Sequence, residues 1–203
     1  MTSRFAQIAF TPAIKQLQEI DGSRSSYARR EAGGDAPDAL GAGEAQFIAE
    51  RDSFHMATVS ETGWPYLQHR GGPKGFLKVL DAHTIAFADF QGNRQHVSEG
   101  NLAGDDRVAL ILMDYANRRR LKLLGHARVV DAAKDPALAA SLTEAGYSAT
   151  VERVMVIRVE AFDWNCPQHI TPRFSETELK PFLEPLRARI RELEEQLAFA
   201  SSV

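Results

Sequence analysis

Residues 63–125 read GWPYLQHRGGPKGFLKVLDAHTIAFADFQGNRQHVSEGNLAGDDRVALILMDYANRRRLKLLG. Four apolar, β-type runs are interrupted twice by clusters of polar and small residues. The first cluster is Gln68-His69-Arg70-Gly71-Gly72-Pro73-Lys74-Gly75, and the second is Asp89-Phe90-Gln91-Gly92-Asn93-Arg94-Gln95. Each joins glycines, which free the backbone, to an arginine and to amide donors. That mixture suits a groove gripping a planar ligand with an anionic tail, so cofactor binding is the leading question.

Working outward, Phe54–Val59 reads as a strand, Glu61-Thr62-Gly63 as a turn and Trp64–Arg70 as the returning strand. Gly75–Leu80 and Thr84–Phe90 make a hairpin around Asp81-Ala82-His83. A short helix is expected over Arg94–Leu102, after the Gly92-Asn93 turn. Arg107–Asp114 is apolar on both faces, which predicts a strand covered on both sides, by a barrel interior and by a helix or a partner subunit. Arg119–Asp131 is a long strand with Gly125 at a bulge or bend. Pro136 sits in the first turn of a helix over Asp135–Ala145, and Val151–Phe162 is a last strand. Such hairpin-spaced strands with few helices between them predict a mainly β fold, a closed or half-open antiparallel barrel. No βαβ alternation is present and no Gly-x-Gly-x-x-Gly follows a strand, which argues against a doubly wound dinucleotide fold.

The flanks differ. Thr11-Pro12 reads as N-cap and first helical residue of a short helix through Ile14, Leu17 and Gln18. Residues 21–43, rich in Gly, Ala, Ser, Asp and Arg, read as an irregular arm, and a helix around Glu44–Arg51 follows. At the other end Ser175-x-x-Glu178 is a capping box. Leu179, Leu183, Leu186, Ile190, Leu193 and Leu197 then recur at heptad spacing. That seam packs either on the chain's own barrel or in a dimer, and Pro181 and Pro185 are expected to kink or split its early turns. The expected organisation is an N-terminal helix and arm (1–43), a barrel domain (44–172) and a C-terminal helix (173–203).

At 203 residues the chain fits one domain of ordinary size, and 44% hydrophobic with 25% charged residues is normal for a soluble globular protein. A net charge of −3 and a pI near 6.1 argue against a general nucleic-acid or anionic-membrane binder. Cys166 is the single cysteine, which suits a reducing compartment. No run approaches the roughly 18 apolar residues of a membrane span, and the N-terminal segment lacks the apolar core of a signal peptide. A cytoplasmic location is the expectation.

The histidines (55, 69, 83, 96, 126 and 169) form no HxxxH pair, and no Cys-x-x-Cys accompanies them, so no metal site is expected. There is no Gly-x-Ser-x-Gly elbow. Cys166 has His169 as its one local base, and a packed or cofactor-adjacent thiol is the better-supported reading. The two polar clusters carry more. Arg70 at a strand end and Arg94 after a Gly-Asn turn can share one phosphate through planar bidentate donors, and Lys78 on the next strand can add a third charge. Backbone N–H groups of Gly92, Asn93 and Arg94 suit the same anion. The competing reading is surface salt bridging around turns. Asp163-Trp164-Asn165-Cys166-Pro167-Gln168-His169-Ile170 suits either an aromatic lid over a flat ring or a loop anchored by a half-buried Trp164.

These parts occur in a telling order: Ser60-x-x-Gly63-x-Pro65, Gln68-His69-Arg70-Gly71-Gly72-Pro73, Lys78-x-x-Asp81, Gly92-Asn93-Arg94 with Ser98 and Asn101, Asp106-Arg107-Val108, and Leu123-Leu124-Gly125-x-Ala127. The set, over roughly Phe47 to Phe162, resembles the FMN-binding split-barrel superfamily, the pyridoxamine 5′-phosphate oxidase-like proteins. The resemblance implies a Greek-key split barrel with peripheral helices, working as a homodimer with two FMN sites at the subunit interface. It implies that Arg70, Lys78 and Arg94 meet the FMN phosphate, with Gln68, His69, Gly71, Asn93 and Gln95 beside them. Ala88, Asp89 and Phe90 would line the ribityl chain and ring edge, and Arg120 would be a polar ring contact. Trp164, Asn165 and Gln168 would approach from the partner subunit.

The departures bear on activity. Gly71-Gly72-Pro73 spaces Arg70 and Lys78 farther apart than in the true oxidases. Their C-terminal Trp-Gly turn with an Arg-Leu-His stretch is also absent, so pyridoxamine phosphate is not the expected substrate. The implied function is an FMN-dependent oxidoreductase passing hydride or electrons from a reduced nicotinamide or small organic donor. The rivals are a non-catalytic flavin-binding or sensing protein and a haem-binding split barrel. No catalytic acid or base is identified, and His69 and Asp89 are the titratable residues nearest the implied ring.

Overall fold

The computed structural model describes residues 3–144, 146–164 and 166–201. They form two compact units, Met1–Asp114 with Arg120–Cys166, and Tyr115–Arg119 with Pro167–Val203.

The first unit holds one antiparallel sheet of seven strands: β1 (Ser53–Val59), β2 (Pro65–Gly71), β3 (Lys78–Asp81), β4 (Thr84–Phe90), β5 (Arg107–Asp114), β6 (Arg119–Asp131) and β7 (Val151–Trp164). The spatial order β2-β1-β5-β6-β7-β4-β3 has crossovers rather than a simple meander; the fold is mainly β, as the strand spacing predicts, and is the split barrel that the family resemblance implies. Two-residue alternation drives it. Phe54, Met56 and Thr58 of β1, Val108, Leu110 and Leu112 of β5, and Leu121 and Leu123 of β6 all point into one core. At its centre Phe54 stacks on Phe76 at 5.7 Å while Phe87 meets both rings edge-on, at 5.2 and 6.2 Å. Such offset and edge-to-face pairs add about 0.5–1.5 kcal/mol each beyond area burial.

Gly125 is the expected bulge. The β6–β7 register shifts between Leu124 and Gly125, and a Cβ there would lie 2.4 Å from the Arg158 carbonyl oxygen.

β5 receives the expected cover on one side from its own chain. Only its Val108–Leu110–Leu112 face is buried; on the other face Ala109 is exposed and Ile111 is half-buried. The register places Ala57 between Leu67 and Ala109, and His55 between His69 and Ile111. An open, largely apolar face therefore runs across β2, β1 and β5, with the His55 and His69 rings in edge contact at 5.4 Å.

Five helices of this unit are α1 (Arg4–Ala9), α2 (Pro12–Ile20), α3 (Arg24–Ala28), α4 (Ala42–Ala49) and α5 (Val97–Gly104); a sixth, α6 (Pro136–Leu142), packs on β4 and β7. α2 starts at Pro12 as the Thr11-Pro12 pair indicates. α1 and α3 are only six and five residues long, and polar bonds help to hold this segment. Arg4 Nε donates to Glu160 at 3.0 Å, and the Gln7 amide donates to the carbonyls of Glu31 and Gly33 at 3.1 and 2.8 Å. Asp38 accepts from the backbone N–H groups of Arg4 and Phe162 at 3.3 and 3.1 Å. The stretch read as an irregular arm is thus clamped to β7.

In the second unit α7 (Glu176–Ala200) begins at Ser175 with both capping-box bonds. Pro181 and Pro185 lie inside it without dividing it. The two missing N–H donors are four residues apart, on one side of the helix, so the hydrogen-bond ladder continues around the rest. No residue of α7 is buried. Among the described residues, no helix is long and apolar enough to cross a membrane.

Candidate functional site

Alternation along β2 turns Tyr66, Gln68 and Arg70 to one face and Leu67 and His69 to the other. Tyr66, Gln68 and Arg70 form one wall of a cleft closed by Asp89 and Phe90 at the end of β4, the 92–96 loop, the first turn of α5, and Arg153 and Met155 of β7. Its volume is about 70 Å³.

Three guanidiniums and three carboxylates meet there. Arg70 Nη1 donates to Asp89 Oδ1 at 2.7 Å, and Arg153 Nε donates to Asp89 Oδ2 at 3.3 Å. Arg94 Nη2 donates to Glu152 at 3.2 Å, and Arg153 lies 3.4 Å from Glu152 and 3.7 Å from Glu99. Asp89 therefore orients two arginines with its two oxygens. The Arg70 guanidinium, lying 5.8 Å from the Phe87 ring centre, keeps its Nε–H buried with no hydrogen-bond partner. A buried, unsatisfied charged donor costs about 1–3 kcal/mol or more, and an anion seated in the cleft would offset that.

The loop above Arg70 is strained. Arg94 and His96 have φ of 58° and 53°, the left-handed region that side chains other than glycine rarely adopt. His96 is the N-cap of α5 and makes no side-chain cap bond, so the first-turn N–H groups of α5 face the cleft uncapped by a side chain. Two side-chain bonds hold α5 in place. Ser98 Oγ donates to Gln68 Oε1 at 2.9 Å, and Asn101 Nδ2 donates to Thr58 Oγ1 at 2.9 Å inside the core. At the far end of α5 the Arg107 side chain holds the Asp105 carboxyl down to about 2, so that corner stays charged. Thr58→Val strands the Asn101 amide and is expected to lower stability by about 1–3 kcal/mol. Urea unfolding measures it; an unchanged midpoint would show that α5 is not held through this bond.

Among the residues singled out from sequence, Gln68, Arg70, Asp89, Phe90, Asn93, Arg94 and Gln95 line the cleft together. His69 faces the opposite side of β2, next to His55. Gly71 ends β2 outside the lining, and Lys78 is paired with Glu144. Ala88 is buried in the cluster beneath α6, with Val154 and Leu142. Arg120 is the second residue of β6, and its Nε is buried without a partner. Trp164 ends β7, where its indole N–H donates to Glu44 at 2.8 Å and its ring meets Phe47 edge-on at 4.8 Å. Gln168 belongs to the second unit, and Asn165 lies outside the described residues. Within one chain, then, the two loop clusters converge, and Trp164 lies outside their cleft. Tyr66 and Arg153 line the cleft without a sequence signal of their own. Alternation from Arg70 points to Tyr66, whereas Arg153 is found only through its pairing with Asp89 across β4 and β7.

A model of the family described as pyridoxamine 5′-phosphate oxidase matches residues 43–165. None of the curated proteins matches the chain. Solved structures resemble it at low identity. HupZ of Group A Streptococcus is 13% identical with a TM-score of 0.50, over 66% of this chain and 100% of that one. An F420 reductase is 21% identical with a TM-score of 0.43, over 61% and 98%. An FMN-binding protein from Syntrophomonas wolfei subsp. wolfei is 12% identical with a TM-score of 0.43, over 74% and 97%.

Proposed function

Because the chain belongs to the pyridoxamine 5′-phosphate oxidase family, we propose that it is an FMN-binding flavoprotein, an oxidoreductase that works as a homodimer. The observation that carries this reading is the buried, unpartnered Nε–H of Arg70 in a cleft it shares with Arg94, Arg153 and the start of α5. Those donors suit a dianionic phosphate, bound in bidentate fashion by guanidinium and from below by backbone N–H groups. Gln68, held by Ser98, and Tyr66 extend the same wall away from the phosphate position.

When bound, FMN would supply hydride and electron transfer at its isoalloxazine ring, between a reduced nicotinamide or small organic donor and an acceptor. This chain's part is binding and orientation. Asp89 positions two arginines, and with both oxygens engaged it is a poor candidate for a general base. His69 faces away from the cleft in its own subunit.

A cleft of about 70 Å³ holds a phosphate group but falls well short of the roughly 300 Å³ at which ligand pockets begin. The ring must therefore rest against a further surface. The open face of β2, β1 and β5 supports a second copy of the chain as its source, since apolar sheet faces of this kind seek cover. Ala109→Glu places a carboxylate in the middle of that face and is expected to shift the protein to monomer and weaken flavin retention. Sedimentation velocity decides it, and an undisturbed dimer would remove this face from the interface. The cytoplasm suits the single, exposed Cys166.

The direct test is the absorbance spectrum of the purified protein with mass spectrometry of the acid-released ligand. Flavin bands and an FMN mass are expected, together with turnover of NADH or NADPH. A Soret band would replace flavin by haem. A flavin that no reductant turns over would leave a binding or sensing protein. A colourless protein that takes up no added FMN would refute the reading of the cleft.

A further inference from the structure

A second cavity, of about 480 Å³, opens in the first unit beside the end of β7. It shares no lining residue with the cleft around Arg70. Arg153 of the cleft and Asp163 of the cavity are ten residues apart on β7, roughly 30 Å along an extended strand. Six of its ten lining residues come from residues 5–30, which precede the 43–165 segment matched to the family. The volume falls in the range of small-molecule pockets, about 300–1,000 Å³.

The walls are aromatic and fixed. Phe10 and Tyr27 meet edge-on at 5.4 Å, and Trp164 is set by Glu44 and Phe47 as described above. Phe5 lies under the Lys122 ammonium, 4.5 Å from its ring centre. The polar part is a three-charge cluster in which Asp163 accepts from Arg30 at 2.6 Å and pairs with Lys122 at 3.2 Å. Among the residues that line the cavity, two cations against one carboxylate leave a positive excess, with Glu44 behind Trp164 as a further carboxylate. A cationic ligand would meet Arg30 and Lys122, and the Phe5 face it could use already carries an ammonium. Flat apolar walls with a residual positive charge at one edge select a flat anion.

We infer that this cavity is a second small-molecule site, which takes a flat aromatic molecule bearing one carboxylate or phosphate group. The aromatic body lies among Phe10, Tyr27 and Trp164, and the anionic group engages Arg30 and Lys122 beside Asp163. Within one chain none of these residues lines the Arg70 cleft, and Trp164 alone is also named by the family resemblance, as a contact from a partner subunit.

Calorimetric titration of the full-length protein with 2-naphthoate, and with its neutral amide, tests it without reference to activity. Naphthoate is expected to bind at least about tenfold more tightly than the amide. Lys122→Met should remove that preference, Tyr27→Ala should weaken both ligands, and Arg70→Met should change neither. Tyr27 and Lys122 are both partly exposed, so these variants leave the core intact. Absence of naphthoate binding, equal affinity for acid and amide, or indifference to both Lys122→Met and Tyr27→Ala would overturn the assignment. Loss of naphthoate binding in Arg70→Met would overturn it too, by placing the ligand in the other cleft.

Discussion

Arg70→Met is expected to weaken FMN binding by about a hundredfold, the largest single effect in the proposed site. Each charge-assisted hydrogen bond contributes roughly 1.5–3 kcal/mol, and a hundredfold corresponds to about 2.7 kcal/mol. Arg70 is placed to give more than one such bond. Its side chain is only 15% exposed, its Nη1 is locked by Asp89, and its Nε is buried with no partner, so the guanidinium is ordered before any ligand arrives. Arg94, with a side chain 62% exposed and paired to Glu152, must be reordered to bind, and Arg94→Ala should weaken FMN by only about tenfold. Arg70→Lys keeps the charge but loses the planar fork and should recover a minor part of the affinity. Titration of apoprotein with FMN, followed by quenching of flavin fluorescence, ranks the variants. If Arg70→Met binds FMN as the parent does, or if Arg94→Ala is the more damaging, Arg70 is not the phosphate anchor. Because Arg70→Met also deprives Asp89 of a partner, its urea midpoint should be recorded beside the affinity.

Gly125→Ala is expected to destabilise the barrel by about 3 kcal/mol, a large share of the roughly 5–15 kcal/mol that holds a domain together. The added methyl would stand 2.4 Å from the Arg158 carbonyl oxygen and 3.0 Å from Ile157 Cγ2. The first neighbour is backbone of an adjacent strand and cannot turn aside. Relief would require β6 and β7 to part where their register changes, at the bulge itself. Gly63 provides the contrast. Its φ of 82° disfavours alanine, but nothing lies within 4 Å of the new methyl. Gly63→Ala should therefore cost only about 1 kcal/mol, from backbone strain alone. Chemical denaturation of both variants settles the comparison; a smaller loss at Gly125 than at Gly63 would mean that the strand pair yields easily.

Gly125 was legible in sequence as a break in a long β run, because a glycine inside a strand has few other purposes. β5 and β6 were legible end to end, since dense apolar runs between charged residues leave the strand no alternative. The coverage of β5 was not, because apolar residues on two faces do not say whether the second cover belongs to the same chain. α1 and α3 escaped for another reason. They are too short for a period to announce them, and bonds from Arg4, Gln7 and Asp38 to partners as far away as Glu160 and Phe162 help to hold the segment down.

The same division runs through the candidate site. Arg70, Asp89 and Arg94 announce themselves by standing in glycine-bearing loops at strand ends, where local chemistry and local geometry coincide. Arg153 sits in an ordinary strand and enters the cleft only because β4 and β7 pair at Asp89. Trp164, readable as a lid or as an anchor, is tied within its own chain to Glu44 and Phe47, more than a hundred residues earlier. The strands, their alternation, the capped C-terminal helix and the two polar clusters could be read along the chain, because each depends on interactions between near neighbours. Which charges meet, which sheet face stays open and where the N-terminal arm makes a second cavity could not, because those follow from strand register and from contacts between distant segments.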